Sequence, residues 1–220
     1  MNEQIPMVKK SFYSVVIKRI LDIVISGIVI ICFSWLYLII TIMELLIHGK
    51  PVIYKQERPG KDEKLFCIYK FRSMTNETDE NGNLLPGERR ITGFGRFLRR
   101  FSLDELPELV NVFTGKMSLI GPRPLLPMSL PYFSERHHMR HSVRPGLACI
   151  PLKPTKTWSW NDQFENDIYY IEHISFLLDV KMILAVAREA IMGSEYRVND
   201  TREEYNGTNL YEDAYRTEGL

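Results

Sequence analysis

A long apolar run near the amino terminus limits what this chain can fold into. Between Ile23 and Ile47 the run is interrupted only by Ser26, Gly27, Ser34, Thr41 and Glu44. A helix that crosses a bilayer needs about 20 apolar residues, whereas the apolar core of a signal peptide has about 7–15. The run therefore predicts attachment to a membrane, and a plain transmembrane helix is its simplest form.

Basic residues flank the apolar run on both sides: Lys9, Lys10, Lys18 and Arg19 before it, and Lys50, Lys55, Arg58, Lys61 and Lys64 after it. Because loops rich in Lys and Arg stay on the cytoplasmic side of a membrane, both flanks are expected in the cytoplasm. A helix that enters the membrane, breaks and returns to the same face satisfies both observations.

Charge is unevenly spread along the chain. Residues 1–72 carry 11 Lys or Arg against 6 Asp or Glu, whereas residues 148–220 carry 7 against 13. Basic character around the apolar run fits contact with anionic lipid headgroups. A protein that binds nucleic acid would carry a basic stripe with a recognisable motif, and the sequence has none. The cysteines, Cys32, Cys67 and Cys149, are too widely spaced to indicate a disulfide framework or a zinc site, which fits a reducing cytosol.

Two β-prone runs follow the apolar segment and predict a hairpin. Residues 52–54 and 65–71 are rich in β-branched and aromatic side chains, and Pro59-Gly60 between them is a turn signal. The hairpin would bring Lys70 and Arg72 towards the acidic motif described next, unless both are solvated cations on a strand face. Residues 94–101 place apolar side chains at helical spacing among arginines, which predicts an amphipathic helix at the lipid interface or on the core.

Two adjacent acids, Asp104 and Glu105, stand among basic residues. The spacing from Ser102 to Glu105 is that of a capping box, in which Glu105 accepts from the Ser102 backbone N–H. A helix capped by Asp104 itself fits Pro107 equally well, because a proline is tolerated only in the first helical turn. In either arrangement both carboxylates lie at a helix N-terminus, where the macrodipole favours negative charge. Asp104 is therefore expected to be ionised at neutral pH.

An ionised carboxylate can act as a nucleophile on phosphorus, and the N–H groups of a helix N-terminus can hold the phosphate it attacks. Like charges repel, so such an attack needs a divalent cation and arginines. Glu105, together with Asp104, offers the carboxylate ligands that Mg²⁺ prefers. Arg99 and Arg123 suit phosphate recognition, although a single arginine is more often a solvated surface charge.

A cationic segment at residues 136–141 contains three histidines. His137 and His141 have the four-residue spacing of a metal-binding pair, but no third ligand or HExxH pattern accompanies them. A solvated or phosphate-facing helix is the favoured interpretation.

Five sequence blocks occur in the following order: Gln56–Gly60, Tyr69–Met74, Leu98–Leu106, Met117–Pro124 and Val143–Gly146. Together they resemble the bacterial sugar transferases of the small monotopic phosphoglycosyl transferase family, and the resemblance extends to about residue 193. It implies an α+β, mainly helical fold: a compact cytosolic catalytic domain with a short β-hairpin and amphipathic interfacial helices, attached by an N-terminal hydrophobic, re-entrant membrane helix. Residues 1–50 are then the anchor, 51–193 the catalytic domain, and 194–220 a polar acidic tail that is loosely ordered.

The resemblance implies transfer of a phospho-sugar from a UDP-sugar to a polyprenol phosphate, undecaprenyl phosphate, with release of UMP. This would be the first membrane step of bacterial glycan or glycoconjugate synthesis, at the inner membrane with the catalytic domain facing the cytoplasm. Asp104 would form a covalent phospho-sugar intermediate and Glu105 would hold Mg²⁺. Phosphates would be positioned by Arg99, Arg123 and Arg144, together with Lys70 and Arg72 from the hairpin. Membrane lipid and downstream glycosyltransferases are the further partners implied.

Two segments depart from the family pattern. Relatives break the membrane helix at a Ser-Pro pair where this chain has Ser34-Trp35, and residues 147–160 replace the usual Thr-Gly-Trp-Ala-Gln segment near the donor. Lys153 and Trp158 are candidates for contacts with the donor. Asp167 is a candidate for orienting an arginine or the metal shell, with a helix-surface charge as the alternative. The divergence also leaves a second class of function open, a non-catalytic membrane scaffold that binds a lipid phosphate or a partner protein.

Overall fold

The amino-terminal apolar run folds as two helices rather than one. In the computed structural model, which describes residues 6–149, 159–192 and 205–210, a π-helical turn at Tyr13–Ile17 leads into α1 (Lys18–Cys32), and α2 spans Ser34–Ile47. The pair is bent by 61°, and Phe33 between the helices leaves the helical region with φ −101° and ψ 12°. Within the described residues no single helix is long and apolar enough to cross a membrane, whereas this bent pair together meets both criteria.

The break therefore falls where the family pattern places it, although the proline is missing. Backbone bonding continues across it, because the N–H of Phe33 donates to Val29 and the N–H of Leu36 donates to Phe33. A re-entrant path through a bilayer stays a prediction.

Two small sheets accompany the helices. Strands β1 (Ile53–Pro59) and β2 (Leu65–Phe71) form the predicted antiparallel hairpin. The second sheet was not predicted and pairs β3 (Ser118–Ile120) with β4 (Gly146–Ala148) in parallel. A Cβ atom at Gly146 would lie 2.1 Å from the backbone nitrogen of Gly121, so this close approach requires glycine. The described residues thus form a mainly helical α+β fold, as expected.

The remaining helices are α3 (Gly87–Arg90), α4 (Gly93–Arg100), α5 (Glu108–Thr114), α6 (Glu135–His138), α7 (Trp160–His173) and α8 (Phe176–Met192). Short 3-10 turns lie at Lys61–Glu63, Leu103–Glu105, Pro127–Tyr132 and Met139–Ser142. Helix α4 buries Leu98 and leaves half of Phe97 exposed, which confirms a helix with two different faces. Its contact with lipid stays a prediction.

Helix α7 supplies the centre of the main core. Its residues Ile168 and Ile171 pack with Ile120 of β3 and Met182 of α8. The helix begins sharply because Ser159 and Asp162 form a capping box. The buried face of α7 thereby joins the second sheet to α8.

A second cluster includes a residue of the acidic tail. Tyr205 is buried against Phe133 and Phe164, and its hydroxyl donates to the carbonyl oxygen of Tyr132 at 2.9 Å. The expectation of a loosely ordered tail is therefore wrong for residues 205–210, because aromatic burial and hydrogen bonds fix this segment. Residues 193–204 and 211–220 lie outside the described residues.

Polar contacts fix α1 and α2 to the rest of the fold. Arg19 donates to two carbonyl oxygens in the last turn of α5, at 2.7 and 2.8 Å, where a cation complements the helix dipole. Asp22 accepts from the backbone N–H of Leu119 at 3.0 Å. On α2, the hydroxyl of Tyr37 donates to the carbonyl oxygen of Leu106. The two apolar helices are thus bonded to α5, β3 and the segment next to the acidic motif.

Candidate active site

Asp104 and Glu105 lie in a 3-10 turn immediately before α5. Ser102 has a left-handed backbone with φ 57° and its side chain caps no helix, while α5 begins after Pro107 without a side-chain cap. Both capping arrangements expected from the sequence are therefore wrong, because the left-handed residue starts a separate turn and the proline starts α5. The two carboxylates are nevertheless buried on the N-terminal side of α5, with 8% and 4% of their surface exposed.

Two cations hold the Glu105 carboxylate. The Nζ of Lys70 lies 2.9 Å from Oε1, and the Arg123 guanidinium contacts the same oxygen. Lys70 arrives from β2 and Arg123 from the turn after β3, so the hairpin delivers Lys70 as expected. The attraction of Glu105 raises the pKa of Arg123, and burial opposes this only in part. Burial acts against the charge of Lys70, but Glu105 and Glu108 together raise its pKa above the ordinary value.

A third acid, Glu108, belongs to this pocket and was missed in the sequence. It is buried, and its Oε1 lies 3.2 Å from the Nζ of Lys70. Burial, aided by Glu105, raises the pKa of Glu108 against the lowering effect of Lys70. The signal was present, since a three-residue spacing from Glu105 places both side chains on one helical face.

Asp104 differs from Glu105 and Glu108 in that no cation in the described part of the chain contacts its carboxylate directly. Among the residues that the structure describes, neither of its oxygens has a hydrogen-bond or ion-pair partner. Burial and then Glu105 raise the pKa of Asp104, while Lys70, Arg99 and Arg123 lower it from a distance. Arg99 is held nearby by a 2.9 Å hydrogen bond from its Nε to the Ser73 hydroxyl. The upward shift of its pKa acts against ionisation, so an ionised Asp104 at neutral pH stays a prediction.

Two residues expected near the phosphates are not brought to this pocket. Arg72 donates to the carbonyl oxygens of Met74 at 3.0 Å and Lys50 at 3.3 Å, at the base of α2. The Nε of Arg144 donates to the carbonyl oxygen of Gly115 at 3.0 Å, at the far end of α5, about 10 Å along the helix axis. Both guanidinium groups bind backbone carbonyls instead of facing Asp104. Any part in phosphate binding stays a prediction.

Asp167 lies behind the pocket. It is fully buried, so its interpretation as a helix-surface charge is wrong, and its Oδ2 lies 2.6 Å from Arg140. The same arginine donates to the carbonyl oxygen of Arg123 at 2.7 Å, so Asp167 does orient an arginine. Burial raises the pKa of Asp167, and Arg140 opposes that rise. The other two donor candidates, Lys153 and Trp158, lie outside the described residues.

Comparison with known proteins places this chain in a family. Residues 13–193 match the family described as bacterial sugar transferase. The chain is 39% identical over 196 residues to the uncharacterized sugar transferase EpsL of Bacillus subtilis (strain 168), covering 88% of this chain and 97% of that protein.

Two further relatives are longer proteins. The UDP-N-acetylgalactosamine-undecaprenyl-phosphate N-acetylgalactosaminephosphotransferase of Aeromonas hydrophila is 35% identical over 186 residues, which is 80% of this chain and 44% of that protein. The UDP-glucose:undecaprenyl-phosphate glucose-1-phosphate transferase of Klebsiella pneumoniae is 35% identical over 197 residues, 83% of this chain and 42% of that protein. The chain thus spans less than half the length of these two relatives. Matches over most of the chain confirm the resemblance seen in its sequence blocks and the transferase class predicted from them: the chain belongs to the bacterial sugar transferase family.

Proposed function

We propose that this protein transfers a phospho-sugar from a UDP-sugar to undecaprenyl phosphate and releases UMP. The observation that carries the proposal is the buried Asp104 carboxylate, which no cation of the described residues contacts directly, whereas Lys70 and Arg123 contact the neighbouring Glu105. The relatives from Aeromonas hydrophila and Klebsiella pneumoniae are named for transfers of this kind, with different sugars. The sugar that this chain transfers is to be identified by assaying a panel of UDP-sugars.

In the first step, an oxygen of Asp104 attacks the phosphorus that bears the sugar. The bond from that phosphorus to the oxygen of UMP breaks, UMP leaves with the electron pair, and an acyl phosphate links Asp104 to the phospho-sugar. Arg99 and Arg123 lie where they can stabilise charge on the phosphoryl oxygens. Glu105 keeps Arg123 in place, and Lys70 holds the same carboxylate oxygen of Glu105.

In the second step, a phosphate oxygen of undecaprenyl phosphate attacks the same phosphorus. The bond to Asp104 breaks, the carboxylate is regenerated, and the sugar is left on a diphosphate-linked lipid. Each phosphorus–oxygen bond that forms is matched by one that breaks, so the two steps need no further reactant.

The pocket also suits Mg²⁺. Asp104, Glu105 and Glu108 offer carboxylate oxygens, the donors that Mg²⁺ prefers, and Asp104 has no competing partner among the described residues. Bound Mg²⁺ would offset the repulsion between the carboxylate and a diphosphate. Asp104 and Glu105 are the residues that we expect to hold it.

Helices α1 and α2 are the proposed anchor. Ile31 and Leu46 are 74% and 76% exposed, as are many other apolar side chains on these helices, which suits a lipid environment. With the native cysteines replaced, new cysteines near Asn2 and Lys61 are expected to react alike with an impermeant thiol reagent in intact cells. Labelling of the amino-terminal site alone from outside would instead establish a spanning anchor.

The covalent route is tested by isotope exchange. Purified full-length protein in nanodiscs with Mg²⁺ is given labelled UMP and a panel of unlabelled UDP-sugars, without the lipid acceptor. Label should enter the preferred UDP-sugar, because the covalent intermediate returns its phospho-sugar to UMP. Asp104→Asn should abolish exchange and net transfer, while Asp79→Asn, a matched change in an exposed loop, should leave both intact.

Near-normal transfer by Asp104→Asn would rule out this residue as the nucleophile. A folded wild-type protein that releases UMP from no UDP-sugar would favour the non-catalytic scaffold. Transfer without exchange would indicate direct attack by the lipid phosphate on the donor.

A further inference from the structure

Three side chains that offer metal ligands meet between the Lys61–Glu63 turn and the segment that precedes Arg140 and follows it: Glu63, His138 and His141. The Oε1 of Glu63 lies 2.5 Å from the Nδ1 of His138 and 3.2 Å from the Nδ1 of His141. The three ligand atoms all lie within 4.8 Å of one another. No third ligand was expected from the sequence, and the structure brings the Glu63 carboxylate to two of the histidines from a distant turn.

The pairing of histidines also differs from the one read from the sequence. His138 and His141 are three residues apart, a spacing that puts two side chains on one face of a helical segment. His137 instead faces Glu165, with a separation of 3.5 Å. A four-residue spacing was the wrong choice because α6 ends at His138 and a tighter 3-10 turn continues to Ser142.

Glu63 is presented by an unusual turn. Asp62 and Glu63 both have left-handed backbones, with φ of 54° and 60°, a region that residues other than glycine rarely adopt. The turn directs the Glu63 carboxylate at two imidazole rings instead of into solvent. The His141 side chain is 7% exposed, whereas those of Glu63 and His138 are each 38% exposed.

We propose that Glu63, His138 and His141 bind a divalent transition metal ion of the Zn²⁺ type. Two imidazole nitrogens and one carboxylate oxygen are ligands that Zn²⁺ takes at about 2.0–2.2 Å, whereas Mg²⁺ prefers oxygen alone. Small rotations of the two half-exposed side chains bring all three atoms to one ion. The site shares no residue with the acidic pocket around Asp104, and the proposal does not rest on the proposed function.

The position of the cluster indicates what the ion does. It would join the turn of the β1–β2 hairpin, which carries Lys70, to the segment that contains Arg140. Arg140 in turn donates to the carbonyl oxygen of Arg123, whose side chain holds Glu105. The ion is therefore a structural cross-link between the two segments that position the cations of the acidic pocket.

The test measures metal binding on the full-length protein in nanodiscs, without a polyhistidine tag and stripped with a chelator. Excess Mg²⁺ is present throughout, so that the oxygen-rich pocket is occupied by a hard cation. Co²⁺ serves as the coloured probe and Zn²⁺ as its competitor. We expect one Co²⁺ per chain with an absorption spectrum of nitrogen and oxygen coordination, its displacement by Zn²⁺, and a higher unfolding temperature with Zn²⁺.

His138→Ala and Glu63→Gln should each weaken Co²⁺ binding by at least about tenfold, since even changes in groups behind metal ligands cost about 10–100-fold. Glu63→Gln keeps the size of the side chain and guards against loss of fold. The control is His173→Ala, a change on α7 outside the cluster, which should bind as the wild type does. Absence of Co²⁺ and Zn²⁺ binding, or equal binding by wild type and both cluster variants, would overturn the proposal.

Discussion

Replacement of Arg140 by methionine should lower the free energy of unfolding by about 3–5 kcal/mol near pH 7.5, the usual effect of removing one partner of a buried ion pair. Arg140 and Asp167 each expose 1% of their side chains, and two guanidinium nitrogens bond Oδ2 at 2.6 and 3.1 Å. A third bond, of 2.7 Å, goes to the carbonyl oxygen of Arg123. Methionine retains apolar contact with Phe133 and Phe164, over which the guanidinium lies. The loss is thus mainly electrostatic.

The loss should depend on pH in a defined direction. Burial raises the pKa of Asp167, and in Arg140→Met the opposing arginine is gone. The folded variant then holds a proton more tightly than the unfolded chain, whose aspartate pKa is about 3.9. The wild-type pKa is raised as well, but less, so the stability of the variant relative to wild type falls as pH rises from the wild-type pKa to the higher pKa of the variant. The deficit is therefore smaller at pH 5 than at pH 7.5.

Urea unfolding in detergent, followed by tryptophan fluorescence, measures both effects. The double variant Arg140→Met with Asp167→Leu removes both charges and should be more stable than Arg140→Met alone, because a well-packed apolar pair replaces an unpaired charge. A loss below about 1 kcal/mol for Arg140→Met at pH 7.5, or purely additive effects in the double variant, would refute the reasoning.

Other expected outcomes concern the acidic pocket and helix α2 of the proposed anchor. Arg123→Ala should lower kcat/KM by about 10²–10³-fold, as loss of a charge-stabilising donor does, while Arg144→Ala changes it far less; similar losses would contradict the placement of these arginines. Lys70→Met removes a cation that lowers the pKa of Asp104, so the acid limb of the pH–rate profile should move to higher pH, and an unmoved limb would assign that limb to another group. Tyr37→Phe should destabilise the protein by about 1 kcal/mol in urea unfolding through one lost hydrogen bond; an unchanged midpoint would show that this bond contributes nothing.

The parts of the fold that were predictable from sequence depend on local pattern. Residues 53–71 combine β-prone runs with a Pro-Gly turn, and the structure forms that hairpin. The apolar run predicted helix, and its break falls at Phe33 next to the expected position. The acids at 104 and 105 were found because neighbouring charges of opposite sign mark them in the sequence. Periodicity and composition within a short window carry this information.

Contacts between distant residues were not predictable in the same way. Glu63 and His138 are 75 positions apart, and Arg140 and Asp167 are 27 apart. The spacing of nearby residues does not predict such pairs, because each residue alone is indistinguishable in the sequence from an ordinary charged surface residue. The predicted helix caps at Ser102 and Asp104 were wrong for a related reason, because the left-handed backbone of Ser102 depends on how the chain turns after α4.

The bonds that α1 and α2 make to the rest of the fold bear on how a water-soluble version of this enzyme could be obtained. Deleting residues 1–50 would remove the bonds of Arg19 to the carbonyl end of α5 and of Asp22 to β3. It would also leave the Leu106 carbonyl, next to Glu105 in the chain, without the Tyr37 hydroxyl. The shortened chain would lack the proposed anchor, but the pocket would lose these supporting bonds. Polar substitution of outward-facing positions such as Ile31 and Leu46 keeps those bonds, and is the route that this architecture favours.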